Sequence, residues 1–397
     1  MAKKVVLAGA CRTAIGKMGG ALSTTPAVQL GSIVIKEALN RAGVKPEQVD
    51  EVLMGCVIQA GLGQNVARQA SIKAGLPVEV PAVTINVVCG SGLNCVNMAA
   101  EKILAGTADI VVAGGMENMS MAPYAAMKAR FGYRMNNATL VDTMVNDALW
   151  DAFNNYHMIQ TADNVAAEWG LTREELDEFS VKSQAKAAAA QANGRFKDEI
   201  VPVTIPQRKK DPIIFDTDEF PKRDTNEAKM AKLRPIFPDG VTTAGNASGR
   251  NDGASALVIM AAEKAQELGL KPIARVIAGA ARGVDPRVMG LGPVAAVNRL
   301  FERFLTPMGL KKEDIGLWEL NEAFAAQSLG CLKDLGLSTD NVNVNGGAIA
   351  LGHPLGCSGA RISTTLIHEM HKRDVRYGIA TLCVAGGLGM AMAFEKL

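Results

Sequence analysis

Aromatic side chains make up only 5% of the 397 residues, and histidine occurs four times. A chain so poor in large rings fills its interior with aliphatic and small residues. Its 40 glycines, about 10% against a usual ~7%, point to tight turns and close backbone approach. No charge of one sign dominates: 42 Lys and Arg stand against 40 Asp and Glu. The resulting +2 removes the electrostatic case for nucleic acid or for an anionic membrane surface. No apolar run reaches the ~18 residues that a membrane span needs. The seven cysteines (Cys11, Cys56, Cys89, Cys95, Cys331, Cys357, Cys383) are odd in number, scattered, and never spaced Cys-x-x-Cys. That argues against a disulfide framework or a zinc site and fits a reducing, cytoplasmic compartment.

The length itself exceeds one hydrophobic core, since single cores stop growing at roughly 250–300 residues. A repeat explains the excess. Val6-Leu-Ala-Gly-Ala-Cys-Arg12 reappears as Val276-Ile-Ala-Gly-Ala-Ala-Arg282, and the segment from Gly43 to Leu53 reappears from Gly309 to Glu319. Val83-Thr-Ile-Asn86 answers Val342-Asn-Val-Asn345, and Val112-Ala-Gly-Gly115 answers Val384-Ala-Gly-Gly387. Four matches in order imply two copies of one unit. The apolar run at 5–10 is therefore a strand rather than an export signal, because its copy lies mid-chain.

Each copy alternates strand and helix. Runs at 4–10, 49–59 and 109–114 read as strands, and 27–42 and 93–105 have helical spacing. Alternation of this kind predicts an α/β fold with a mostly parallel sheet covered by helices on both faces. The expected organisation is an N-terminal half at 1–118 completed by 250–270, a polar, loop-rich insert at 119–249, and a C-terminal half at 271–397.

Three segments carry chemistry. Cys89, in Thr84-Ile-Asn-Val-Val-Cys89-Gly-Ser-Gly, stands where a strand meets a helix, and a helix N-terminus with a nearby imidazole favours the thiolate. His353, in Leu351-Gly-His353-Pro, falls within eight residues that the second copy adds where the first carries Cys89, a position suited to a general base. Cys383 ends a strand just before Gly386-Gly-Leu-Gly389, at the sheet edge where catalytic groups gather. His368 and His371, on an amphipathic helix, read as a solvated face, with no further ligands to make a metal site.

These segments, with Gly115-Met-Glu-Asn-Met-Ser120, Gly245-Asn-Ala-Ser-Gly249 and Asn321-Glu-Ala-Phe324, resemble the thiolase family in motif and order across the whole chain. The likeness is greatest to its bacterial short-chain acetyl-CoA acetyltransferase branch. The resemblance implies duplicated α/β halves with an inserted loop domain that binds coenzyme A. It implies reversible, ping-pong condensation of two acetyl-CoA to acetoacetyl-CoA and CoA. Cys89 would be the nucleophile, His353 the base, and Cys383 the acid and base at the α-carbon. Asn321 and His353 would form one oxyanion hole, and the backbone N–H groups of Cys89 and Ala385 the other. His157, Met158, Ser248, Ala323 and Phe324 would line the substrate site, with Lys222 and Arg223 near the nucleotide phosphates. The resemblance further implies no metal or cofactor beyond coenzyme A, and a homodimer or homotetramer.

Three departures from the family pattern bear on the site. Ala385 replaces a glycine, and alanine resists positive φ. Lys222 replaces an arginine, and Ile159 a glycine. A broader-chain 3-ketoacyl-CoA thiolase, a β-ketoacyl synthase and a non-catalytic acyl carrier are the alternatives. A synthase would carry histidine at Asn321, and a carrier would lack part of the catalytic set.

Overall fold

The computed structural model describes residues 4–397; the first three residues of the 1–118 half lie outside it. In the first half, β1 (Val5–Thr13) leads to α1 (Ala27–Ala42), β2 (Glu51–Gly55), α2 (Val66–Ala74), β3 (Ala82–Ile85), α3 (Ser91–Ala105) and β4 (Ile110–Asn118). After the insert, with α4 (Met158–Trp169) and α5 (Arg173–Ala192), β5 (Asn251–Ala261) completes that half. The second half runs β6 (Ala274–Gly283), α6 (Gly292–Leu300), β7 (Leu317–Leu320), α7 (Ala325–Leu335), α8 (Leu355–Arg373), β8 (Tyr377–Val384) and β9 (Leu388–Lys396).

The sheet order is β7-β8-β9-β6-β1-β5-β4-β2-β3, so each half repeats one order outward from the β1–β6 seam. The seam is antiparallel, Val5 facing Val276 and Leu7 facing Ala274. The expected parallel majority is not found. β2–β3, β2–β4 and β7–β8 are parallel, and the remaining neighbours in this order are antiparallel. The reason is connectivity: parallel neighbours need a long crossover, whereas β8 and β9 are joined by a tight turn at 385–387, which permits only antiparallel pairing. The first half pairs β4 with β5 in the same way, but there the whole of 119–250 stands where the second half has that turn.

The register corrects one repeat match. Val52 pairs with Val112 and Trp318 with Ile379, so Val112 corresponds to Ile379 and not to Val384. Val-Ala-Gly-Gly is a coincidence of composition there, and Cys383 corresponds to Met116.

Alternation along the strands sorts two cores. On β1, Val5 and Leu7 pack inward with Leu93, Val96, Ile362 and Leu366 of α3 and α8. Val6 and Ala8 pack outward with Leu30, Val34 and Ala38 of α1. On β9, Met390, Met392 and Phe394 face inward, while Ala391 and Ala393 meet Ala296 and Leu300 of α6. The inner pair α3 and α8 is thus covered by both halves. That is why His368 is not on the expected solvated face, its Nε2 lying 3.2 Å from Ala10 O, whereas His371, one turn nearer the end of α8, is exposed as expected, its Nε2 2.7 Å from Ile273 O.

The insert is more helical than its polar composition suggests. α5 starts from a reciprocal Thr172–Glu175 capping box and runs through an alanine-rich stretch of high helix propensity. Buried Arg12 ties the insert to β1, bonding Glu199 at 2.5 Å and both oxygens of Asp218 at 2.7 and 2.9 Å. No described helix is long and apolar enough to cross a membrane, and all seven cysteines are free and buried.

Candidate active site

α3 begins at Ser91 and α8 at Leu355, and two residues before each start stand Cys89 and His353. The duplicated units therefore offer a thiol and an imidazole at corresponding places. The helices bring the two together by crossing almost backbone to backbone. A Cβ on Gly92 would lie 2.7 Å from Ala360 N, and one on Gly359 would lie 2.2 Å from Leu93 N. A Cβ on Gly115 would lie 1.9 Å from Gly356 O. Part of the glycine surplus sits at this crossing.

Cys89 follows a strained residue. Val88 has φ 43°, a left-handed value that a β-branched side chain resists. Hydrogen bonds hold it there: Val88 N donates to Asn86 Oδ1 at 3.0 Å, and Ser91 Oγ donates to Val88 O at 2.6 Å. Ser91 Oγ also accepts from Val87 N at 2.9 Å.

The thiolate expected at this helix start is not the resting form. Burial pushes the Cys89 thiol up to about 11, although the N–H groups of Ala385 and of Cys89 itself bond its sulfur and pull the other way. Burial, with the charge of Arg361 second, pushes His353 down to about 3. Burial also pushes Cys383 up, and Cys89 is the first of the neighbouring groups that add to the effect. At neutral pH all three groups rest uncharged.

The hydrogen bonds around His353 select its tautomer. Ser358 Oγ donates its one proton to Pro354 O at 2.9 Å and lies 2.6 Å from His353 Nδ1. With that proton on Pro354 O, Nδ1–H is the donor to Ser358, and Nε2 is left as the acceptor. Asn321 Nδ2 lies 3.4 Å from that Nε2, and Asn321 Oδ1 is buried with no partner in the protein. His353 N donates to Asn251 Oδ1 at 3.0 Å, fixing the ring to the first half.

Ala385 does not take the positive φ expected to trouble it. Gly386 and Gly387 do, at 87° and 86°, so alanine is accommodated and its N–H stays aimed at Cys89.

These groups open on a pocket of about 560 Å³. Cys89, His353, Ala385, His157, Met158, Lys222, Ser248, Ala323 and Phe324 all line it, as does Ile159. Asn321 and Cys383 are wholly buried behind the wall. Arg223 is not brought there; its Nη2 lies 3.5 Å from Gln191 Oε1, outside the pocket. In its place Lys17 and Arg250 line the wall, with no Asp or Glu among the lining residues. Neither cation stands in a charged run, so nothing local in the sequence flagged them. Ser358 had a faint signal: it follows His353 by five residues, on the first turn of the same helix. His157 caps α4, its Nδ1 accepting from Ile159 N at 3.2 Å; burial and then Arg250 lower its pKa.

Comparison with known proteins agrees over the full length. The thiolase N-terminal domain model matches residues 5–263, and the thiolase C-terminal domain model matches 270–396. The chain belongs to the thiolase family. Among thiolase relatives, acetyl-CoA acetyltransferases of Chromobacterium violaceum and Cupriavidus necator are 57% and 58% identical over 394 residues. These alignments cover 99% of this chain and 100% and 99% of theirs. The solved structure of the Bacillus anthracis acetyl-CoA acetyltransferase superposes with a TM-score of 0.96 at 44% identity, over 100% of this chain and 99% of that one.

Proposed function

We infer that this thiolase is an acetyl-CoA C-acetyltransferase, interconverting two acetyl-CoA with acetoacetyl-CoA and CoA. The observation that carries the reading is one pocket joining an uncharged Cys89–His353 pair to Lys17, Lys222 and Arg250, with no carboxylate on its wall. Such a wall suits a thioester carrying several phosphate charges.

In the condensing direction Cys89 Sγ attacks the acetyl carbonyl as its proton passes to the lone pair of His353 Nε2. The N–H groups of Cys89 and Ala385 receive the carbonyl oxygen as it gains charge; one such donor is commonly worth about 2.7–4 kcal/mol. The thiol of Cys383 protonates the departing CoA sulfur, leaving acetyl-Cys89 and a Cys383 thiolate. That thiolate takes an α-proton from a second acetyl-CoA, whose enolate oxygen is held by His353 Nε2–H and a water on Asn321. The α-carbon attacks acetyl-Cys89, and the His353 proton returns to the Cys89 sulfur as acetoacetyl-CoA forms. Every proton is accounted for by these side chains, so the reading needs no metal or cofactor beyond the CoA esters.

The neutral-thiol resting state favours this proton-coupled attack over a standing thiolate. The seven free thiols fit a cytoplasmic setting. Edge strand β3, with Val83 exposed, and exposed Met127, Phe131 and Met135 offer apolar surface for a homodimer or homotetramer.

The test is thiolysis across a 3-ketoacyl-CoA chain-length series, with mass spectrometry of the Cys89 peptide after acetyl-CoA. Fastest turnover of acetoacetyl-CoA and an acetylated Cys89 are expected. Faster turnover of longer chains would replace the reading with a broader 3-ketoacyl-CoA thiolase, and no acetyl on Cys89 would overturn it.

A further inference from the structure

Glu117, near the end of β4, is wholly buried, and the mechanism above gives it no part. Its carboxyl oxygens face donors. Oε2 accepts from Val57 N at 3.0 Å and from Gly356 N at 2.8 Å. Oε1 accepts from Ile58 N at 3.1 Å and lies 3.7 Å from Cys56 Sγ. Burial raises its pKa, and what opposes burial is these N–H groups and the Cys56 thiol, not a cation. Three backbone N–H donors on the two oxygens act against burial and favour the ionised form.

The donors join two halves. Val57 and Ile58 follow β2 of the first half, whereas Gly356 is the second residue of α8 and the third after His353. The carboxylate thus sits at the N-terminus of a nineteen-residue helix, where the peptide dipoles favour an anion. Glycine at 356 permits this close approach, because a Cβ there would lie 2.8 Å from Met116 O and 3.0 Å from Glu117 Oε2.

We propose that Glu117 is a positioning residue for acetyl transfer, its carboxylate clamping the first turn of α8, and so His353, against the half that carries Cys89. The proposal rests on the functional reading above. A negative charge here opposes loss of the Cys89 proton; Cys56 and Cys357 are the other titratable side chains that feel it. A group electrostatically adverse to the nucleophile therefore contributes through geometry.

Two variants separate geometry from charge. Glu117→Gln keeps the length, removes the charge and sets an amide N–H against backbone donors. Glu117→Asp keeps the charge and cannot span both loops. Both should lower kcat for acetoacetyl-CoA thiolysis roughly 10- to 100-fold, with KM within about 2-fold of wild type. The pH midpoint for iodoacetamide capture of Cys89 should fall in Glu117→Gln and stay in place in Glu117→Asp. Wild-type kcat in either variant, or an unmoved midpoint in Glu117→Gln, overturns the clamp. If neither variant folds, hydrogen exchange of the wild-type Gly356 amide decides: protection equal to the α8 interior supports the clamp and fast exchange overturns it. Alkylation and exchange need no turnover, so failure of the acetyl-transfer reading is distinguishable from failure of the clamp.

Discussion

The two halves share one strand order and one helix order, yet they close differently. In the second half β8 turns directly into β9 through 385–387, and the N–H at the start of that turn points at the Cys89 sulfur. In the first half the corresponding turn is replaced by 119–250, which folds over the site and supplies His157, Met158, Lys222, Ser248 and Arg250 to the pocket. The tight closure gives a rigid donor at the reacting atom; the long one gives a wall wide enough for a large, charged ester. Duplication put two helix starts side by side, and divergence gave one a thiol, the other an imidazole, and their loops unequal lengths.

The comparison assigns chemistry to the helix crossing and affinity to the insert, and five variants test that division. The largest effect is expected from Cys89→Ala, which should lower acetyl transfer at least about 10⁴-fold. The melting temperature should stay near wild type; undiminished thiolysis would show that the crossing is not where bonds change. Next comes Gly359→Ala, whose Cβ would sit 2.2 Å from Leu93 N, against Gly253→Ala, whose Cβ meets nothing nearer than 3.4 Å. Urea unfolding should show a loss of about 3 kcal/mol or more for the first and under about 1 kcal/mol for the second. Equal stability of the two would mean that the helices do not cross so closely. The smallest effect is expected in the insert: Arg250→Ala and Lys222→Ala should each raise KM for acetyl-CoA roughly 2- to 5-fold, less at high salt. A fall in kcat at constant KM would move these cations from binding to chemistry.

Much of the frame was legible. Helix 27–42 ends where its pattern ends, because Gly43 takes φ 69° and stops it. The repeat was readable from β1 and β6 because both seam strands carry the same small and branched residues, although β1 is buried throughout and β6 only at Ala274 and Val276. The fourth match failed for the same reason: Val-Ala-Gly-Gly suits a buried strand and a glycine turn equally. The parallel majority failed because hydrophobic alternation does not encode strand direction. In the site, Cys89, His353 and Cys383 stood out through their glycine settings. Arg223 was placed by the resemblance to the family and by its charged run, and the chain turned it toward Gln191 and brought Arg250 to the wall instead.

By itself, the sequence determined which groups could react and that two similar units would carry them, because residue type and periodicity are local properties. Only the tertiary structure decided their protonation and their partners. Burial overrides the helix dipole at Cys89, a serine one turn along α8 sets the His353 tautomer, and an anion from the other half meets the N-terminus of that helix. Each is a matter of desolvation and of contacts between residues far apart in the chain, which no local pattern records.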